Sequence, residues 1–146
     1  IQAFDDAPSY GVRHKVISDF GDVEDKTNRS YSSLLPLGGA NADSISIRVA
    51  TKELLKRPEN RKILLVLSDG LPSSYYNERD AITSVQKAVR DARREGIIVI
   101  AICFGSEDHL NETREQYRKM YQKGIIMTKP QNIPIQLVKV LEREIR

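Results

Sequence analysis

The chain has 146 residues, 40% of them apolar and 29% charged, the balance of one soluble globular domain able to bury a core. A net charge of +3, from 23 basic against 20 acidic residues, gives no ground for a nucleic-acid partner. No apolar run approaches membrane-spanning length and no signal peptide is visible, which argues against a membrane partner or export. The single cysteine, Cys103, excludes an internal disulfide. It lies inside an apolar run and reads as a buried, inert thiol in a reducing, cytoplasmic compartment.

The chain opens within an apolar stretch, without an initiator methionine, which predicts a fragment or processed piece. Residues 1–4 and 13–20 are strand-like, and 5–10 between them read as a turn, so they predict an antiparallel hairpin. Residues 21–39 are polar, carry a Gly38-Gly39 pair and predict little regular structure. From Ser44, the residues Ile47, Ala50 and Leu54 recur at helical spacing, and Asn41 or Asp43 suits the cap. Arg57-Pro58-Glu59-Asn60 ends this helix, and a strand follows over 63–68.

The next helix takes Asn77 as N-cap, buries Ile82, Val85, Val89 and Ala92, and stops at Gly96. The dense charge cluster over 90–95 falls at its end, where cations complement the helix dipole, and reads as solvated. A strand over 97–104 leads through Gly105 to a helix around 112–122. There Tyr117, Met120 and Tyr121 form a packed stripe, and Gly124 is the stop. A short edge strand over 125–128 precedes a last helix opened by Asn132 and Pro134, with Leu137, Leu141 and Ile145 as its inner face. This alternation predicts a single α/β domain over 1–146, a doubly wound, mostly parallel sheet with helices on both faces.

In open α/β sheets ligands gather outside the carboxyl ends of the strands. The strand at 63–68 ends in Ser68-Asp69-Gly70, so Asp69 emerges there, able to bind a cation, to act as acid or base, or to cap the turn. The loop Gly38-Gly39-Ala40-Asn41-Ala42-Asp43-Ser44 runs into the preceding helix and is expected at the same end. A hard cation such as Mg²⁺ takes oxygen ligands and keeps several waters. Asn41 and Asp43 opposite Asp69 suit such an ion, and they equally suit helix caps. His14 and His109 have no second ligand at metal-site spacing and read as surface residues. There is no GxGxxG, Walker loop or GxSxG. Ser73-Ser74-Tyr75-Tyr76 reads either as a binding surface or as ordinary loop polarity.

Taken together, the GGANADS loop entering a helix, the strand end LSDGLP, the helix end KAVRDARREG and the strand IIVIAICFG resemble a von Willebrand factor type A (vWA) domain. The pattern is most similar to the bacterial intracellular branch found in cobaltochelatase large accessory subunits and nitric oxide reductase activation proteins. The resemblance implies a Rossmann-like vWA fold lacking the family's first strand and helix, and a metal-ion-dependent adhesion site. In that site Asp69 matches the aspartate after the fourth strand. Asn41 to Asp43 align with the second loop, where the common Thr is absent and the branch carries a similar Asn-x-Asp. The DxSxS motif, which supplies the remaining ligands, is not in this sequence.

The implied metal ligands are therefore Asp69, Asn41 and Asp43, with weak affinity for Mg²⁺ or another divalent cation. The implied role is a non-enzymatic interaction module. Its cation would accept an acidic side chain from a protein partner, an AAA+ ATPase acting in metal insertion or metalloenzyme activation. The alternative is a Mg²⁺-dependent phosphoryl-transfer or hydrolytic enzyme, for which the sequence shows no convincing nucleophile or base beside Asp69.

Overall fold

In the computed structural model, residues 2–7, 11–16, 42–72 and 77–145 are described, with side chains over 42–72 and 77–144. Strands β1 (Gln2–Ala7) and β2 (Gly11–Val16) pair antiparallel from Gln2↔Val16 to Ala7↔Gly11 and form a sheet of their own. The expected hairpin is present, and its strands run closer to the turn than composition suggests. Ladder pairing carries Asp5, Asp6 and Ala7, read as turn, into register with Arg13, Val12 and Gly11. The polar segment over 21–39 and Asn41 lie outside the described residues.

Helix α1 (Asp43–Leu55) leads to β3 (Lys62–Ser68), helix α2 (Glu78–Arg94) to β4 (Ile97–Phe104), and helix α3 (Glu107–Tyr121) to β5 (Ile125–Thr128). These strands form a parallel sheet in the order β3-β4-β5, with Ser68 opposite Cys103 and Phe104 opposite Thr128. Parallel neighbours need long crossovers, and α2 and α3 supply them. Side chains alternate across a strand. Val66, Ile97, Val99, Ala101 and Cys103 join Val85, Val89 and Ala92 of α2, and Tyr117, Met120 and Tyr121 of α3, in the main core. The alternate residues of β4 face the other way. The end of helix α4 (Ile133–Ile145) comes near the amino end of β4, since its Arg143 and Glu144 line one cleft with Ile98 and Ile100. The result is the α/β, Rossmann-like arrangement that the alternation predicts.

The helix ends show which local signals prevailed. Asn77 caps α2, its Oδ1 accepting from the Asp80 amide at 2.8 Å, and Gly96 ends it with φ +81°. Helix α3 begins earlier than the expected 112, because Ser106 caps it by accepting from the His109 amide at 3.3 Å. Glu107 and Asp108 then occupy the first turn, where carboxylates suit the dipole. At the other end Gln122, rather than Gly124, makes the reversal, with φ 53°. A side chain is strained in that region, so Gln122→Gly is expected to stabilise the protein by about 1 kcal/mol after the extra unfolded-state entropy of glycine. Urea denaturation would show this as a higher midpoint at unchanged slope.

Helix α4 corrects the expected inner face. Val140 is buried and Leu137 half-buried, whereas Leu141 is 41% exposed; the Ile145 side chain lies outside the described set. A stripe of strict four-residue steps drifts about 40° per step around a helix of 3.6 residues per turn. The line that stays inward therefore alternates its steps, through Ile133, Leu137, Val140 and Glu144. Arg93 corrects the charge cluster in a similar way. Its Nη2 turns inward and donates to the carbonyls of Val99 at 3.1 Å and Tyr121 at 2.8 Å. The β4–β5 ladder opens only where Ala101 N donates to the Gly124 carbonyl, at 2.7 Å. Val99 thus has no β5 partner, and the guanidinium replaces one.

Candidate metal and partner site

The carboxyl end of β3 is shaped by three residues. Ser68 is buried, and its Oγ donates to the Gly70 carbonyl at 2.8 Å, closing a bend around Asp69. Asp69 itself is exposed. Leu71, just beyond, packs against the main core and anchors the bend from its far side. Ser73 to Tyr76, read as a binding surface or plain loop, lie outside the described residues.

Asp43 does not cap α1. Ala42 occupies the N-cap position with no side-chain cap bond, and Asp43 is the first helical residue. There its charge complements the helix dipole. Unlike Asp69 it is deeply buried, at 2% exposure, beside the equally buried Ser44. Burial and the field of Asp43 together push the Cys103 thiol up to about 12. The same causes raise Tyr121 well above the usual phenol range. Tyr117 is raised chiefly by burial, with smaller contributions from both Asp43 and Asp69. Both carboxylates therefore act on one tyrosine.

Helical spacing predicts Tyr117 as part of a packed stripe and nothing more. It is fully buried as expected, but its hydroxyl also lies 3.5 Å from Ser68 Oγ. One signal pointed there: long helical side chains lean toward the helix N-terminus. In a helix that starts at the carboxyl end of β4, this lifts the phenol toward the strand ends. His109 is likewise not a surface residue. It is half-buried against Gly105, where an added Cβ would meet its Cδ2 at 2.9 Å, and its Nε2 is buried without a hydrogen-bond partner among the described residues.

The resemblance implies a cation here, and the polar side chains near the two loops are oxygen donors. They are carboxylate and hydroxyl oxygens from Asp69, Asp43, Ser44 and Ser68, the hard ligands that Mg²⁺ takes. Cys103 is fully buried. Number is the shortfall: among the described residues no three His, Cys, Asp or Glu side chains gather into a group able to hold an ion. A cleft of about 620 Å³, lined by Arg93, Lys123, Gly124 and Arg143, opens at the opposite, amino end of the strands. Among the described residues no helix is long and apolar enough to cross a membrane.

Comparison with known families places this architecture. Residues 33–122 match the family described as the cobalamin biosynthesis protein CobT VWA domain. The chain belongs to that family. The matched region runs from before the Asp43 helix to the end of α3, and so contains the Asp69 bend. Among curated proteins, this VWA domain is 30% identical to protein NorD of Brucella suis over 66% of the chain. It is 32% identical to the uncharacterized protein PA0525 of Pseudomonas aeruginosa over the same share. To the uncharacterized protein YojO of Bacillus subtilis it is 27% identical over 79% of the chain. The chain spans 21% of the length of YojO and 16% of NorD and PA0525. The CobT- and NorD-like branch of the VWA superfamily, expected from the sequence, is therefore the one to which it belongs.

Proposed function

We propose that this VWA domain is a metal-ion-dependent interaction module, not an enzyme. In this reading Asp69, with Asn41 and Asp43, would hold a divalent cation, Mg²⁺ being the hard ion that the oxygen donors suit. Bound there, the ion would supply a Lewis-acidic position for a carboxylate from a partner. The observation that carries the reading is the contrast between the two aspartates: Asp69 stands exposed at a strand end, while Asp43 is buried where α1 begins. An exposed carboxylate on a hydrogen-bonded bend is arranged to hold a cation toward an incoming group.

The partner proposed is an AAA+ ATPase that inserts a metal or activates a metalloenzyme, in line with the cobalamin biosynthesis role in the family's description and with the NorD likeness. The reading favours holding over transforming, because Cys103, the strongest nucleophile by residue type, is buried and protonated.

The test is affinity purification of the protein as its gene encodes it, with Mg²⁺ and with EDTA. An AAA+ ATPase is expected to be retained with Mg²⁺. Its recovery should fall at least about tenfold, or 1.4 kcal/mol, with EDTA or with Asp69→Ala. Equal recovery under all three conditions refutes the metal-bridged contact. Turnover of an aryl phosphate that requires Mg²⁺ and Asp69 would instead support a phosphoryl-transfer enzyme.

A further inference from the structure

The Asp69 bend is tied to a helix far along the chain. Ser68 Oγ carries one proton and two lone pairs. It gives the proton to the Gly70 carbonyl at 2.8 Å, so toward the Tyr117 hydroxyl, 3.5 Å away, it can only accept. The order of donation is thus Tyr117 to Ser68 to Gly70, across the residue that bears the carboxylate. Tyr117 has no exposed surface, and Ser68 is its hydroxyl's hydrogen-bond partner among the described residues. Burial holds its phenol protonated, so it remains a donor throughout the working pH range.

The two links differ in strength. The Ser68 to Gly70 bond has a good length, whereas 3.5 Å is longer than a well-formed hydroxyl pair. The Tyr117 link is therefore the one that a small displacement of α3 tightens or breaks. The same helix also meets the neighbouring strand end, through His109 against Gly105. Helix α3 consequently touches the ends of both β3 and β4, through Tyr117 and His109.

We propose that Tyr117 is a positioning residue for Asp69: its hydroxyl, acting through Ser68, fixes the bend that presents the carboxylate and couples α3 to whatever the carboxylate holds. This rests on the cation-holding reading of Asp69. Coupling of this kind is reciprocal, so a cation that favours the ordered bend also favours the docked position of α3.

Substituting phenylalanine keeps the ring in the core and removes only the donor. In the protein as its gene encodes it, Mn²⁺ affinity is measured by electron paramagnetic resonance of free Mn²⁺. Amide exchange at 69–71 is followed without metal. Tyr117→Phe is expected to weaken Mn²⁺ about tenfold, the lower end of the loss when a residue supporting a metal ligand is removed. It is also expected to speed exchange at 69–71. Ser68→Ala should do the same, and the double variant should be no worse than either single, because the two act in series.

Wild-type affinity and wild-type exchange in Tyr117→Phe, with only a lowered melting temperature, would show a packing role and overturn the proposal. Asp69→Ala separates the two ideas. If it leaves Mn²⁺ binding intact, the cation reading fails, and the coupling to the ion fails with it. If it abolishes binding while Tyr117→Phe does not, only the positioning role fails.

Discussion

Adding one methyl group at Gly124 is expected to cost about 3 kcal/mol of stability, at the upper end for overpacking a tight site. The Cβ would lie 2.3 Å from the Val99 carbonyl oxygen and 2.6 Å from Arg93 Nη2. A long side chain could yield, but the Val99 carbonyl belongs to the middle strand of the sheet and is already held by Arg93. The displaced element must then be β5. Its ladder with β4 opens at the Gly124 carbonyl, which accepts from Ala101 N at 2.7 Å. Moving it strains that bond and both Arg93 contacts, each buried enough to be costly when unmade. For a domain of this size the loss corresponds to about 9 °C in melting temperature. Thermal unfolding of Gly124→Ala measures it, and a shift under about 2 °C would show that β5 yields freely. The residue is thus a steric requirement of strand pairing, not the helix stop that its position after α3 suggests; Gln122 makes that reversal.

Stability is expected to hold steady from pH 6 to about 8.5 and then to fall steeply, by about 1.4 kcal/mol per pH unit for each buried acid involved. The sign follows from proton counts. Cys103 is raised from its usual 9.0 to about 12 in the folded chain, and Tyr117 and Tyr121 are also raised, all chiefly by burial. Below the unfolded values both states are protonated and the contribution is complete. Above them the unfolded chain sheds protons that the native chain retains, so ∂ΔG/∂pH turns negative and the contribution is lost as pH climbs through the folded values. Cys103 alone accounts for a loss on the order of 4 kcal/mol between pH 9 and 12. That is a large share of the total stability of a domain. Urea denaturation at pH 7, 9, 10 and 11 tests this, with Cys103→Ala expected to flatten the slope above pH 9 by one proton. Unchanged stability to pH 11 would refute it.

Part of the candidate site is legible in the sequence alone. Asp69 could be singled out because an apolar run of strand length ends in Ser-Asp-Gly, and the chemistry of such sheets gathers at that end. Asp43 was recognisable as a polar residue entering a helix, but whether it capped the helix or lay beneath it depends on what packs over it. His109 shows the same limit. Nothing in its neighbours along the chain marks it as buried, and it is half-covered because α3 starts early and folds its first turn back onto Gly105. Tyr117 is the clearest case. Its spacing announces burial, yet the direction of its hydroxyl follows from the lean of side chains in a helix, and its target lies 49 residues away.

By itself the sequence determined the local structure: strands from apolar runs, helices from their periodicity, caps at Asn77 and stops at Gly96, and hence an α/β domain with Asp69 at a strand end. These features depend on contacts within a few residues, where composition is sufficient. Only the tertiary structure decided that Asp43 is buried, that Arg93 replaces a strand, that Gly124 is needed for space, and that Tyr117 reaches the Asp69 bend. Each of those is set by groups that chain closure brings together from distant positions, where burial and close packing make a single atom costly to misplace.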